Sequence, residues 1–203
     1  MSASVERIRR ATIERETGET SIRLSLDLDG AGTSSMKTGV LFLDHMLDAL
    51  CRHSGFDLSG SCTGDAAMDP HHSVEDVGIA LGQALKVAIG DRAGIARYGY
   101  AYAPLDESLA RFVVDFSGRP YLEFVACMPE PVIGTDFAAS LVEEFWRAVA
   151  VNGGLTVHID LIRARNAHHA AEAIFKAAAV ALRMATRITR DTSAIPSTKG
   201  MLA

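Results

Sequence analysis

The motif His-His-x-x-Glu occurs twice in this chain, at residues 71–75 and again 97 positions later at residues 168–172. Four of the seven histidines lie in these two copies. Self-similarity at a fixed spacing indicates internal duplication, which constrains the architecture before any single helix or strand is assigned. We therefore expect two similar halves, each presenting the same cluster of polar side chains.

The repeat extends well beyond the motif. Three pairs of segments match in apolar spacing and in several identities, with offsets of 88, 99 and 97: 19–30 with 107–118, 43–58 with 142–157, and 70–86 with 167–183. The first pair alternates apolar and polar residues as strands do, and the second indicates a helix, a glycine stop and a strand. Each half then runs strand, strand, helix, strand, helix.

These observations predict an α+β fold, a tandem duplication of a unit resembling the split β-α-β of ribosomal-protein domains. Each half would be a mostly antiparallel or mixed sheet covered by two helices. The halves would span residues 1–92 and 93–190, followed by a C-terminal tail at 191–203. Asp69 and Pro70 predict the start of the helix that carries the first motif.

Composition narrows the class of protein. A chain of 203 residues with 48% hydrophobic content can bury a substantial core. The net charge of -5 argues against a general affinity for nucleic acid or anionic membranes, while leaving room for a local basic pocket. Three cysteines without a CxxC pair fit a reducing compartment, and no segment has the length and composition of a signal peptide or membrane span. We expect a cytoplasmic protein whose partners are small molecules.

The repeated motif offers the donors of a metal site. Imidazole supplies a neutral nitrogen and glutamate an anionic oxygen, a mixture that suits Mn, Fe, Co, Ni or Zn. On a helix the glutamate lies beside both histidines, but the adjacent histidines point about 100° apart. One helix therefore offers its histidines to two different metals, and two copies brought together would build two similar sites. His45 is a further candidate ligand, and its counterpart at the offset of 99 is Glu144, an oxygen donor.

Simpler interpretations exist for these residues. A single His-His pair is more often a surface or capping feature, and duplicated helices could retain a repeat because they pack alike. Helix packing, however, does not require two adjacent imidazoles and a carboxylate, so metal binding is the favoured interpretation. A second, cationic group consists of Arg97, Arg119 and Lys199, which stand beside Gly, Ser, Thr or Pro in loop-like contexts where a phosphate could be bound. Each of them alone is more often a solvated surface charge.

On the basis of these motifs, we find that the chain resembles the imidazoleglycerol-phosphate dehydratase family of histidine biosynthesis. The resemblance covers nearly the whole chain. The matching blocks are FLDHML at 42–47, DPHHSVEDV at 69–77, RYG at 97–99, PLDESL at 104–109, DFSGRPY at 115–121, NAHHAAEAIFKA at 166–177 and IPSTKG at 195–200. The resemblance implies a hydro-lyase that converts imidazole glycerol phosphate to imidazole acetol phosphate. It also implies two Mn²⁺ ions per active site and a homo-oligomer of 24 subunits built from trimers, with sites between subunits.

Site residues follow from the resemblance position by position. The implied metal ligands are His45, His71, His72, Glu75, Glu144, His168, His169 and Glu172. The implied substrate contacts are Glu19, His45, Met46, Leu47, Asp48, His53, His71, His72, Glu75, Arg97, Arg119, Ser197, Thr198 and Lys199. Many members of the family have a histidine where this chain has Glu144, so a carboxylate would replace an imidazole there.

The resemblance also implies a chemical route. The hydrogen to be removed is not acidified by a carbonyl, so a metal-bound imidazolate would expel the neighbouring hydroxyl and give a diazafulvene-like intermediate. Loss of the next C–H proton gives an enol that becomes the ketone. The catalytic residues would be Glu19, the candidate acid/base, with His72 and Glu172. Without the resemblance, Glu19 would be interpreted as a surface residue at the end of a strand.

Other functions fit the same residues. Paired metals also activate water, so a dinuclear hydrolase of a phosphate ester is the alternative enzyme class. A metal-dependent shell or storage particle, in which the motifs only join subunits, is the non-enzymatic alternative. An RNA-binding domain is disfavoured by the acidic balance and the lack of a basic stripe.

Overall fold

The computed structural model describes residues 8–64, 69–189 and 196–197. The first half contains β1 (Arg10–Glu16), β2 (Thr20–Asp27), β3 (Ser34–Lys37), α1 (Leu41–Ser54), β4 (Asp57–Gly64) and α2 (His71–Ile89). The second half contains β5 (Tyr98–Leu105), β6 (Ser108–Asp115), β7 (Tyr121–Val125), β8 (Val132–Ile133), β9 (Phe137–Ala138), α3 (Leu141–Gly153), β10 (Thr156–Arg163) and α4 (Ala167–Thr186).

Both halves form a four-stranded sheet with the same strand order. The orders are β1-β2-β4-β3 and β5-β6-β10-β7, and the last pair in each sheet is parallel while the others are antiparallel. The predicted α+β duplication with mixed sheets is thus confirmed. Each half also has one strand more than the predicted order, β3 or β7, and the second half adds a small β8–β9 hairpin.

The two halves share one core because their helices pack across each other. Residues of β2 and β6 alternate between buried and more exposed positions, so each sheet turns one face inward. Helix α2 packs between the first sheet and α3, and α4 packs between the second sheet and α1. Four aromatic side chains fill the centre of the second half: Phe112, Phe145, Trp146 and Phe175. A helix from each half therefore supports the motif-bearing helix of the other.

Helix α4 lies unusually close to β5. A Cβ atom added at Gly99 would lie 1.8 Å from the carbonyl oxygen of Ala181, so no larger residue fits between strand and helix. The corresponding residue of the first half is Ala11, which packs its methyl group inward. Any larger residue at position 99 would push α4, the helix of the second motif, away from its sheet.

Local signals set the ends of the helices. The backbone at Gly55 and Gly154 has positive φ, 82° and 64°, and ends α1 and α3 at the predicted glycine stops. The side chain of Asp69 accepts a hydrogen bond from the backbone N–H of His71 (2.9 Å), which starts α2 where the sequence indicated. Within the described residues, no helix is both long and apolar enough to span a membrane.

Candidate active site

Two helices bring three potential metal ligands together. His45 extends from α1, while His168 and Glu172 lie one turn apart on α4. Glu172 Oε2 lies 3.4 Å from His45 Nε2 and 3.3 Å from His168 Nε2, and the three ligand atoms all fall within 4.8 Å of one another. Two atoms that bind one divalent ion at about 2.1 Å lie roughly 3.0–3.4 Å apart, so these groups fit a metal.

Aromatic packing holds the imidazoles of this group. The ring centroid of Phe42 lies 5.2 Å from that of His168 and 4.8 Å from that of Phe137. Phe137 belongs to the β8–β9 hairpin, which has no counterpart among the described residues of the first half. The hairpin therefore stiffens the cluster although none of the three ligands belongs to it.

Lys176 sets the charge state of Glu172. Its Nζ lies 2.7 Å from Glu172 Oε1, which leaves Oε2 to face the histidines. Burial alone would raise the pKa of Glu172, but the hydrogen bond and charge of Lys176, together with His45, outweigh burial and hold the pKa below its usual value. The carboxylate is therefore ionised, as a metal ligand must be.

The first motif is arranged differently within one chain. His71 Nε2 lies 3.8 Å from Glu75 Oε2, one turn along α2. No third acidic, thiol or imidazole ligand in the described part of the chain joins this pair into a group of three. Glu144, the expected partner on α3, instead lies 3.7 Å from the guanidinium of Arg147. Within the described residues, a single chain thus brings the second motif, but not the first, into a group of three potential ligands.

The second histidine of each motif faces a glutamate from a hairpin. Glu19, between β1 and β2, approaches His72 Nε2 to 3.8 Å with its side chain 57% exposed. Glu107, between β5 and β6, accepts a hydrogen bond from His169 Nδ1 (2.9 Å). Glu107 was missed in the sequence, although the offset of 88 that pairs it with Glu19 marks it.

Electrostatics couple Glu107 and His169 strongly. The hydrogen bond from His169 lowers the pKa of Glu107 to about 2, and backbone N–H donors add to the effect. The same hydrogen bond raises the pKa of His169 above its usual value. With its pKa held this low, Glu107 is ionised near neutral pH and can only accept hydrogen bonds.

A buried acid holds the hairpin that carries Glu19. Asp76, 6% exposed on α2, accepts a hydrogen bond from the hydroxyl of Thr20 and lies 2.7 Å from the guanidinium of Arg15. Both partners lie in the β1–β2 hairpin. Asp76 therefore ties Glu19 to the helix that bears His72.

The residues expected to bind phosphate lie outside the cluster of His45, His168 and Glu172. Arg97 is only 9% exposed and donates to both carboxylate oxygens of Asp115 (2.7 and 3.0 Å) and to the carbonyl of Pro196 (2.6 Å). These donors hold Pro196 beside the start of β5 rather than facing solvent. Arg119 is exposed and Ser197 is half-buried, while Thr198 and Lys199 lie outside the described residues.

The expected substrate contacts on α1 need a correction. Met46 and Leu47 have no exposed surface, so their side chains pack in the core and the prediction for them is wrong. The reason is helical periodicity, which turns the two residues after His45 inward. Asp48 and His53 are exposed, and burial together with the charge of Lys176 lowers the pKa of His53.

Comparison with known proteins identifies relatives that match over most of the chain. The profile of the imidazoleglycerol-phosphate dehydratase family matches residues 38–182. The dehydratase of Ralstonia pickettii is 54% identical over 195 residues, covering 96% of this chain and 99% of the relative, and that of Dinoroseobacter shibae is 53% identical over 196 residues, covering 96% and 100%.

Two solved structures resemble the fold closely. The Staphylococcus aureus dehydratase superposes with a TM-score of 0.79 at 46% identity, covering 89% of this chain and 99% of that one. The Pyrococcus furiosus enzyme, solved in complex with (S)-C348, gives a TM-score of 0.81 at 36% identity, covering 94% and 100%. The phosphate-ester hydrolase alternative finds no support among these relatives.

Proposed function

Because the chain belongs to the imidazoleglycerol-phosphate dehydratase family, and catalyses the dehydration step of histidine biosynthesis, we propose that this reaction takes place at two Mn²⁺ ions bound by its repeated motifs. The observation that carries the proposal is the convergence of His45, His168 and Glu172 on one point. Nitrogen and oxygen donors without a thiolate suit Mn²⁺.

The proposed ligand set extends this cluster by the symmetry of the two halves. The ligands would be His45, His71, His72, Glu75, Glu144, His168, His169 and Glu172. Glu144 stands on α3 beside α2 as His45 stands on α1 beside α4. It would reach a metal by releasing Arg147, which keeps a second partner in Glu143.

The separation of functional residues supports a site shared between subunits. Glu107 and the start of α4 lie at one end of β5, and Pro196 and Ser197 lie at the other, where Pro196 accepts a hydrogen bond from Arg97. A strand of this length spans roughly 23 Å. A three-carbon chain between an imidazole and a phosphate spans less than about 10 Å at bond lengths of about 1.5 Å. One chain therefore cannot hold both ends of the substrate, and a second copy would complete the site.

The outer face of the second sheet supports self-association. Tyr98, Tyr100 and Tyr102 project from β5 with 53–60% of their surface exposed. The corresponding residues of β1 are Arg10, Thr12 and Glu14, which keep the first sheet polar. Exposed aromatic surface of this kind is typical of interfaces. We propose that it takes part in building a homo-oligomer of trimers, with 24 subunits, in the cytoplasm.

Each functional group then has a role. The histidines and glutamates of the two motifs would hold the Mn²⁺ ions, which would supply Lewis acidity toward the imidazole of the substrate. Glu19, exposed next to His72, would move protons at the leaving oxygen and at the adjacent carbon. Arg119 and Ser197, with Thr198 and Lys199, would hold the phosphate and so orient the reacting carbons.

Turnover and metal content test the proposal together. In His72→Ala we expect loss of bound Mn²⁺ and of dehydration of imidazole glycerol phosphate. In Glu19→Gln we expect an inactive protein that keeps its metal and its assembly. Glu14→Gln, which changes an exposed glutamate on the polar face of the first sheet, is the matched control for Glu19→Gln and should resemble wild type. Full activity of Glu19→Gln would remove it from proton transfer, and a fully active metal-free protein would refute the metal site.

A further inference from the structure

The two oxygens of Glu107 have separate sets of hydrogen-bond donors. Oε1 accepts from the backbone N–H groups of Arg165 (3.3 Å) and Asn166 (3.1 Å) and from the hydroxyl of Ser108 (3.1 Å). Oε2 faces His169 Nδ1 at 2.9 Å. Backbone N–H groups can only donate, so Oε1 must remain an acceptor. The carboxylate is thereby fixed, and its second oxygen is aimed at the imidazole.

This arrangement determines which nitrogen of His169 carries the proton. An ionised carboxylate only accepts, so Nδ1 must be the protonated nitrogen of the neutral ring. The lone pair is then on Nε2, which points away from Glu107. We infer that Glu107 is a positioning residue that holds His169 in the tautomer able to bind a divalent cation through Nε2.

The duplication provides a comparison within the same chain. Glu19 occupies the position equivalent to Glu107, yet it approaches the other nitrogen, Nε2, of its histidine, at 3.8 Å. Glu19 is 57% exposed, whereas Glu107 is 26% exposed. The β1–β2 loop has three residues between its strands and the β5–β6 loop has two, with Asp106 at a positive φ of 48°. The shorter loop places the carboxylate of Glu107 beside Nδ1 of His169. Glu107 therefore orients a metal ligand, whereas Glu19 remains available to the substrate.

Glu107→Gln gives a sharp test, because an amide has one acceptor and one donor. Three donors surround the Oε1 position, so the amide oxygen should take that place and the NH₂ group should face Nδ1. The lone pair of His169 would then move to Nδ1 and the proton to Nε2, which blocks ligation. The inference rests on the proposed metal site, since His169 matters as a ligand there. Loss of a supporting partner of this kind typically lowers metal affinity about 10- to 100-fold.

Two measurements on the full-length protein separate the possible outcomes. ¹⁵N NMR of histidine-labelled, metal-free protein in the solid state reports the tautomer, with His169→Asn used to assign the signal. Equilibrium dialysis against Mn²⁺ reports affinity. We expect protonated Nδ1 in wild type and in Ser108→Ala, which removes a donor only from Oε1, and protonated Nε2 with weaker Mn²⁺ binding in Glu107→Gln.

Each result has a definite meaning. Protonated Nδ1 retained in Glu107→Gln would overturn the inference, and so would a changed tautomer with unchanged Mn²⁺ affinity. The equivalent variant Glu19→Gln should leave both the tautomer of His169 and the affinity as in wild type. Wild-type protein that fails to bind Mn²⁺ yet shows the expected tautomers would instead refute the proposed metal site, and the two failures are thus distinguishable.

Discussion

The close approach of helix α4 to strand β5 predicts a severe effect of Gly99→Ala. The new Cβ would lie 1.8 Å from the carbonyl oxygen of Ala181, against 3.4 Å at which ordinary van der Waals contact begins. About 1.6 Å must be recovered, and the obstacle is helix backbone rather than a flexible side chain. Overpacking costs typically 1–3 kcal/mol, and a backbone obstacle places the cost near about 3 kcal/mol. For a chain of this size that corresponds to a fall in Tm of roughly 6–12 °C.

The same displacement should reach the metal ligands. Helix α4 carries His168 and Glu172, and metal sites tolerate errors of only about 0.2 Å in ligand position. We therefore expect Gly99→Ala to bind Mn²⁺ more weakly even at temperatures where it is fully folded. Urea unfolding of metal-free protein at fixed concentration gives the stability, and dialysis against Mn²⁺ gives the affinity.

A matched substitution controls for the change of glycine to alanine itself. A Cβ at Gly18 would have no neighbour within 4 Å, and its φ is not positive. Gly18→Ala should therefore stabilise the protein by about 0.4–1 kcal/mol, by restricting the unfolded chain. If Gly99→Ala unfolded at the wild-type urea concentration and kept its Mn²⁺ affinity, the contact between β5 and α4 would not constrain the site as described.

Further predictions address assembly, pH and metal choice. Tyr100→Asp should reduce the particle mass measured by sedimentation, whereas Thr12→Asp, at the equivalent position of the polar sheet, should not. The hydrogen bond from Arg9 lowers the pKa of Asp29 below 3.8, so this pair stabilises the fold fully above pH 3.8 and is lost as the pH falls through the lower folded-state pKa. Asp29→Asn should therefore flatten that part of the acid unfolding curve. Glu144→His exchanges an oxygen for a nitrogen donor and should shift metal preference from Mn²⁺ toward Co²⁺, Ni²⁺ and Zn²⁺ in competition dialysis.

Much of the fold could be predicted because duplication makes each half a check on the other. The offsets of 88, 97 and 99 placed strands and helices correctly in both halves. The strands β3 and β7 were missed because they are short and pair in parallel with a distant strand, which local alternation does not reveal. Met46 and Leu47 were assigned to the substrate as part of one continuous segment, although a helix turns such neighbours to different faces.

The role of Glu107 could be predicted only in part from the sequence. The repeat identified its position as readily as that of Glu19, but not the direction of its carboxylate. That direction depends on one residue of loop length and on the backbone donors of Arg165 and Asn166, which meet Glu107 only after the sheet has formed. A sequence repeat can therefore indicate that two side chains occupy equivalent positions without indicating that they have the same function.

In the proposed homo-oligomer, the difference between the two outer sheet faces would help the assembly to close. A subunit with apolar surface on both opposite faces could add copies at either side and grow without limit. Here the first sheet keeps charged and hydroxyl side chains outward, while the second presents tyrosines at the same positions. Only one of these two sheet faces then presents apolar surface for self-association, which favours a closed assembly over an open filament. In the proposed oligomer, closure would bring the Ser197 end of one chain toward another chain's histidines, as a site shared between copies requires.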